Sequence, residues 1–101
     1  MARLDIGKID EVIHGRLRLG VMAYLVNAEV ADFNELKAAL EVTQGNLSVQ
    51  LRKLEEARYV TIEKSFLGRK PRTQVRITNA GRAAFAAYLQ ELGKLIGPAG
   101  R

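Results

Sequence analysis

The polar residues with the densest chemical potential are Gln44, Asn46, Ser48, Gln50, Arg52 and Lys53, six donors or acceptors within ten positions, with Val49 among them. Amides donate and accept at once, a hydroxyl does either, and a guanidinium or ammonium only donates. That combination suits the edges of bases and the oxygens of phosphates rather than bond-making. A second cluster follows, in which Lys64, Arg69, Lys70, Arg72, Arg76 and Arg82 run without an intervening acid. The density is too great for local ion pairs, and an external polyanion is the economical expectation.

Other chemistries are poorly provided for. There is no Cys, which excludes disulfides, thiolate metal sites and cysteine nucleophiles, and only one His. His14 beside Asp10 and Glu11 makes a poor closed metal site, and is read as a polar residue near a helix start. No nucleophile with a base and orienter, no metal cluster and no phosphate-cradling glycine motif is evident, so neither an enzyme nor a cofactor is expected.

The charge is local. The 101 residues carry 16 Lys plus Arg against 11 Asp plus Glu, a net +5. Positions 1–43 sum to −2, 44–82 to +6 and 83–101 to +1. No uncharged run exceeds the ten residues from Leu19 to Ala28, too short to span a membrane, and no signal peptide is recognisable, so a cytoplasmic protein is expected. Length and an ordinary apolar content indicate one globular domain over 1–101.

These side chains need a scaffold to aim them. Positions 1–15 read as a lead-in segment or short helix. From Arg16 to about Asn27, Leu17, Val21 and Leu25 recur in steps of four, with Met22 and Val26 alongside, as in a helix burying one broad face. Asp32 and Glu35 have the spacing of a capping box, and Phe33, Leu36 and Leu40 continue as a short second helix. Only Val42-Thr43-Gln44 separates it from the next periodic stretch, so the two helices must meet at a sharp angle. In the third helix, 43–57, capped by Thr43, Leu47, Leu51 and Leu54 form the inward stripe. The polar set named above then falls on the outward face and its flanks.

After Ala57 the period becomes two. Val60 and Ile62, then Val75 and Ile77, alternate with polar neighbours as two short strands, and Leu67 to Arg72 supplies a basic loop between them. This is a hairpin wing, centred on 66–73. Thr78 can cap a last helix over 78–96 in which Phe85, Tyr88, Leu89, Leu92, Leu95 and Ile96 form a stripe too wide to leave in water. Gly97 to Gly100 ends it, leaving 97–101 as a tail. The expected fold is mainly α (α+β): a winged helix-turn-helix with a three-helix core, a two-stranded β-hairpin wing and a C-terminal dimerisation helix.

The run from Thr43 to Val60 (TQGNLSVQLRKLEEARYV), with GRKPRT from Gly68 and ITNAGR from Ile77, resembles the small winged-helix transcriptional regulators of the MarR and ArsR groups. The resemblance extends from about Ile9 to Ile96. It implies a homodimeric, DNA-binding regulator with dimer contacts from the terminal helices. Arg58 departs from it, since the family has Gly there, and the ArsR relatives' thiolate pairs are missing. Tyr24, Phe85 and Tyr88 could line an effector pocket of the kind drug-responsive relatives carry, but packing is the favoured reading. Whether a small molecule acts on the protein stays open.

The function expected is a homodimeric, sequence-specific double-stranded-DNA-binding regulator. Gln44, Asn46, Ser48, Val49, Gln50, Arg52 and Lys53 would enter the major groove. Lys64, Arg69, Lys70, Arg72 and Arg76 would lie on the minor groove or backbone. The alternative is a winged-helix module that binds protein or RNA without reading a promoter. It would call for exposed apolar residues on the third helix, where only Val49 qualifies.

Overall fold

The computed structural model describes residues 6–96. After a 3-10 turn (Ile6–Lys8), the order is α1 (Arg16–Ala28), β1 (Val30–Asp32), α2 (Phe33–Leu40), α3 (Gln44–Glu56), β2 (Val60–Leu67), β3 (Lys70–Ile77) and α4 (Asn79–Ile96). The strands form one antiparallel sheet in the order β1-β3-β2. The 97–101 tail lies outside the described residues.

The core sits where the three apolar patterns converge. Val21, Met22 and Leu25 of α1 meet Leu36 of α2 and Leu47, Leu51 and Leu54 of α3, all 2% exposed or less. Val60, Val75 and Ile77 close the cluster from the sheet. Leu17, expected on the same α1 stripe, is only half-buried. The lead-in segment is part of this core, because Ile13 is fully buried. Asp10 turns that segment by accepting the Val12 and Ile13 backbone N–H groups at 2.8 and 3.1 Å.

Local signals account for the helix boundaries. Glu35 accepts the Asp32 N–H at 3.3 Å in a capping box, and Thr43 Oγ1 accepts the Asn46 N–H at 3.2 Å. Glu41, in the left-handed region at φ 53°, makes the corner that leads from α2 to α3.

The sheet corrects the expected hairpin in two ways. A third strand is present: Val30–Asp32 pairs with β3, burying Ala31 opposite Val75. Three residues between a helix end and a capping box are too few to show a period. The strands of the wing are also longer, with Leu67 opposite Lys70, so the expected loop shrinks to Gly68-Arg69. Gly68 takes φ 67°, the conformation of the first central residue in a type II′ turn, and Lys70, Pro71 and Arg72 belong to β3 rather than to the loop.

The α3 exit is tied to the start of α4. Arg58 adopts φ 67°, which a Gly would adopt freely. Its carbonyl accepts from Thr78 Oγ1 at 2.7 Å, while that oxygen accepts the Gly81 N–H at 2.9 Å and caps α4. Gly81 packs so closely on the Tyr59 carbonyl that a Cβ there would collide with it. This is the structural basis of the Thr78-to-Gly81 spacing.

Phe85 and Tyr88 correct the expected dimer stripe. They are 7% and 2% exposed and pack within their own chain, where His14 Nδ1 lies 2.9 Å from Tyr88 Oη. A helix crossing its own core buries its N-terminal part, so the uncovered stripe is shorter: Leu89 and Ile96 are exposed, Leu92 and Leu95 half-buried.

Candidate nucleic-acid interface

The α3 stripe of buried leucines turns Gln44, Asn46, Val49, Arg52 and Lys53 to solvent, with Ser48 and Gln50 half-buried at the flanks. Its outward face is therefore the one expected from the sequence. Between α3 and the hairpin lies an open groove of about 620 Å³, lined in part by Gln44, Ser48, Arg52, Lys64 and Thr73. The third helix and the wing thus share one surface.

Two amides on that surface are held in place. Gln50 Nε2 donates to Asn46 Oδ1 at 3.0 Å, and Gln50 Oε1 accepts from Arg18 Nη1 at 2.5 Å. Arg18 is itself fixed by donating from Nε to the Val12 carbonyl at 2.5 Å. The chain of bonds occupies both amide oxygens and leaves the Asn46 amide NH2 outward as a donor. Sequence reasoning did not find Arg18. It lies 32 positions from Gln50, on a helix whose apolar period was its conspicuous feature.

The wing cations divide into two sets. Lys64, Arg69 and Lys70 are exposed and, among the described residues, none has a carboxylate within ion-pair range. Arg72 and Arg76 instead meet acids at and just before the neighbouring strand: Arg72 Nε lies 3.3 Å from Asp32 Oδ1 in β1, and Arg76 Nη1 lies 3.1 Å from Oε2 of Glu29, which ends α1. Arg82 donates to the Val26 carbonyl at 3.1 Å. No ion pair within the run itself satisfies these six cations, but two of them, Arg72 and Arg76, are paired with acids 40 and 47 positions away, and Arg82 is held by a carbonyl. The reason for both ion pairs is the pairing of β1 with β3, which brings Asp32 and the preceding Glu29, distant in sequence, alongside β3. Both pairs are substantially exposed, and such pairs contribute only about 0.2–1 kcal/mol, so a phosphate can compete for either guanidinium.

Two tyrosines outside this surface tie neighbouring segments together. Tyr59 donates to Asp10 Oδ2 at 2.5 Å, and that bond, with burial and the carboxylate charge, pushes its pKa up to about 12. Tyr24 donates to Glu35, which likewise raises it. Both phenols are bracing groups, joining the lead-in turn to the connection between α3 and β2, and α1 to α2.

A tight helix pair with a polar outward helix, a basic hairpin beside it and a groove between them define a winged helix shaped to lie on duplex DNA. The comparisons with known proteins agree. The chain belongs to the family described as winged helix DNA-binding domain, whose model matches residues 17–96. It is 38% identical over 85 residues to an uncharacterised protein of Methanocaldococcus jannaschii, spanning 84% of this chain and 92% of that one. Its fold matches a transcriptional regulator homologue from Pyrococcus horikoshii OT3 with a TM-score of 0.84 at 31% identity, over 89% of each chain. A MarR-family transcriptional regulator from Enterococcus faecalis V583 matches with a TM-score of 0.71 at 27% identity, over 87% of this chain and 81% of that one. This is a DNA-binding regulator family, and not a catalytic one. Among the described residues no helix is long and apolar enough to cross a membrane.

Proposed function

We propose that the protein is a homodimeric regulator that reads specific sites in double-stranded DNA. α3 lies in the major groove, where Asn46, Arg52 and Lys53 meet base edges or phosphates, and Gln44, Ser48, Val49 and Gln50 complete the contact surface. The hairpin crosses to the adjacent minor groove with Lys64, Arg69 and Lys70, while Arg72 and Arg76 exchange their carboxylates for phosphates on docking. The observation that carries this reading is the outward face of α3, whose only large exposed apolar side chain is Val49, at 44%. An interface for another protein would be centred on apolar and aromatic anchors instead.

The second copy covers the C-terminal stripe. Leu89 and Ile96, with Ile6 beyond them, are 50%, 67% and 71% exposed, and Ile9, Leu92 and Leu95 adjoin a shared groove. A twofold through this region would set two α3 helices against half-sites about 10 bp apart or a multiple of that, in successive major grooves. Selection from a random duplex pool should enrich a dyad-symmetric site, and sedimentation should give twice the chain mass. Enrichment of no sequence would end the specific reading; a monomer on the selected site would end the dimeric one.

A further inference from the structure

The extreme tip of the hairpin is apolar. Phe66 and Leu67 are 72% and 67% exposed, and Pro71 stands opposite Phe66 in the ladder. Three apolar side chains thus crown a strand pair otherwise lined with cations. Lys64 precedes them by two positions, and Arg69 and Lys70 follow within the turn and the next strand. None of the three is needed by the core, which ends along β2 at the half-buried Ile62.

We propose that Phe66 and Leu67 form a wedge that enters the minor groove and partly separates a base step, while Lys64, Arg69 and Lys70 hold the phosphates on either side. This rests on the DNA-binding reading above and adds a mode of contact that cations alone do not give. Alternation along β2 puts Phe66 on the strand face of Lys64, which lines the groove shared with α3, and Leu67, the last residue of the strand, on the other face, so the two side chains flank the tip. The tip therefore projects beyond the surface that would meet the major groove.

Reach and chemistry both fit. Four residues of strand carry Phe66 roughly 13 Å past Ile62, at ~3.3 Å per residue. Adjacent major and minor grooves are separated by about 17 Å, half of a ~34 Å turn. A minor groove offers sugars and base faces between two rows of phosphates, which matches an apolar crown flanked by cations. Phe, Leu and Pro are among the side chains that wedge into base steps from this groove. A protein partner matches less well, since a specific interface needs roughly 800 Å² on each side and a core depleted of charge.

The chain contains no Trp, so the full-length Phe66→Trp variant carries a single indole at the tip. It would be titrated with an end-labelled, A·T-rich duplex containing a central TA step, chosen because such steps unstack easily. Label anisotropy reports binding, and indole emission with iodide access reports the tip. Binding should be accompanied by a severalfold fall in emission and loss of iodide quenching. Rising anisotropy with unchanged emission and iodide access would overturn the wedge and leave DNA binding intact. No anisotropy change with wild-type protein on this or any selected duplex would overturn the DNA reading itself.

A Phe66→Ala, Leu67→Ala variant provides an independent measurement. Both side chains are exposed, so it should fold as the parent does. It should bind about tenfold more weakly, as expected for loss of one base–aromatic stack, and end-to-end energy transfer should show a straighter duplex. Unchanged affinity and unchanged transfer would overturn the proposal. So would a smaller sedimenting species for this variant without DNA, which would assign the tip to a contact between copies of the chain.

Discussion

Arg18 Nη1 donates to Gln50 Oε1 across 2.5 Å, joining the first turn of α1 to the middle of α3. The same guanidinium donates to the Val12 carbonyl, and Gln50 in turn donates to Asn46. An amide whose oxygen is held by a cation cannot rotate to offer that oxygen to adenine. Asn46, whose oxygen is also occupied, presents an NH2 donor that suits acceptors such as guanine O6 and N7, thymine O4 or a phosphate.

Arg18→Met should therefore change base preference rather than overall affinity. Freed amides regain both orientations, so a selected site should broaden at the one or two positions nearest Asn46 and Gln50, with discrimination falling by roughly 1 kcal/mol per position. Selection profiles of the two proteins compare this directly. A uniform loss of affinity with the same preferred sequence would assign Arg18 to folding or to a phosphate.

Arg58→Gly should stabilise the chain. A non-Gly residue at φ 67° costs about 1–2 kcal/mol, and the added backbone freedom of Gly in the unfolded state returns part of it, so a net gain of about 0.5–1 kcal/mol is expected. The Arg58 side chain is exposed, and only its backbone carbonyl contacts Thr78, so the cap of α4 should survive. Urea midpoints at constant slope would measure the gain, and a loss of stability would show that the side chain does more than occupy a turn.

The sequence made the fold legible wherever a period ran for several turns or a cap stood at fixed spacing. Val21, Met22 and Leu25, the Leu47-Leu51-Leu54 stripe, and the Asp32–Glu35 and Thr43 caps lie where the pattern put them. Arg58 was conspicuous as a departure from the family pattern, and its left-handed backbone is the physical consequence. The outward face of α3 followed from the same stripe. Pairings between distant positions were not legible. β1 has one inward residue and no period, and without it nothing signals that Asp32 and Glu29 will reach Arg72 and Arg76. Phe85 and Tyr88 share a helix face with Leu89 and Ile96, so periodicity cannot separate what packs on its own chain from what is left exposed.

The Tyr59–Asp10 bond predicts a loss of stability in alkaline solution. The folded phenol titrates near pH 12, against 10.0 for an ordinary tyrosine, so between these values the unfolded state loses its proton first. Stability contributed by this group is complete below about pH 10 and declines as pH rises toward 12. Lysines titrate in the same range, so the measurement is the difference between wild type and Tyr59→Phe. The variant should be less stable at neutral pH, by about 1 kcal/mol for one lost hydrogen bond, and that gap should narrow above pH 10. A constant gap would mean that Asp10 does not hold the phenol in solution.

Salt dependence separates the two sets of wing cations. Each phosphate neutralised contributes about 0.9 to the slope of log K against log salt for duplex DNA. Arg69 and Lys70 are exposed and without a carboxylate, so replacing both by Ala should flatten that slope by about 2. Arg72→Ala should remove less than a full unit, because Arg72 must leave Asp32 to reach a phosphate and the variant leaves Asp32 unpaired beside the DNA. That carboxylate repels the backbone, most strongly at low salt, so affinity should fall as well. Asp32→Asn in the Arg72→Ala background should then recover part of the affinity, although the same change weakens the α2 cap and must be checked by thermal melting. Equal slope changes for Arg69, Lys70 and Arg72 would mean that the Arg72–Asp32 pair is already open when DNA arrives.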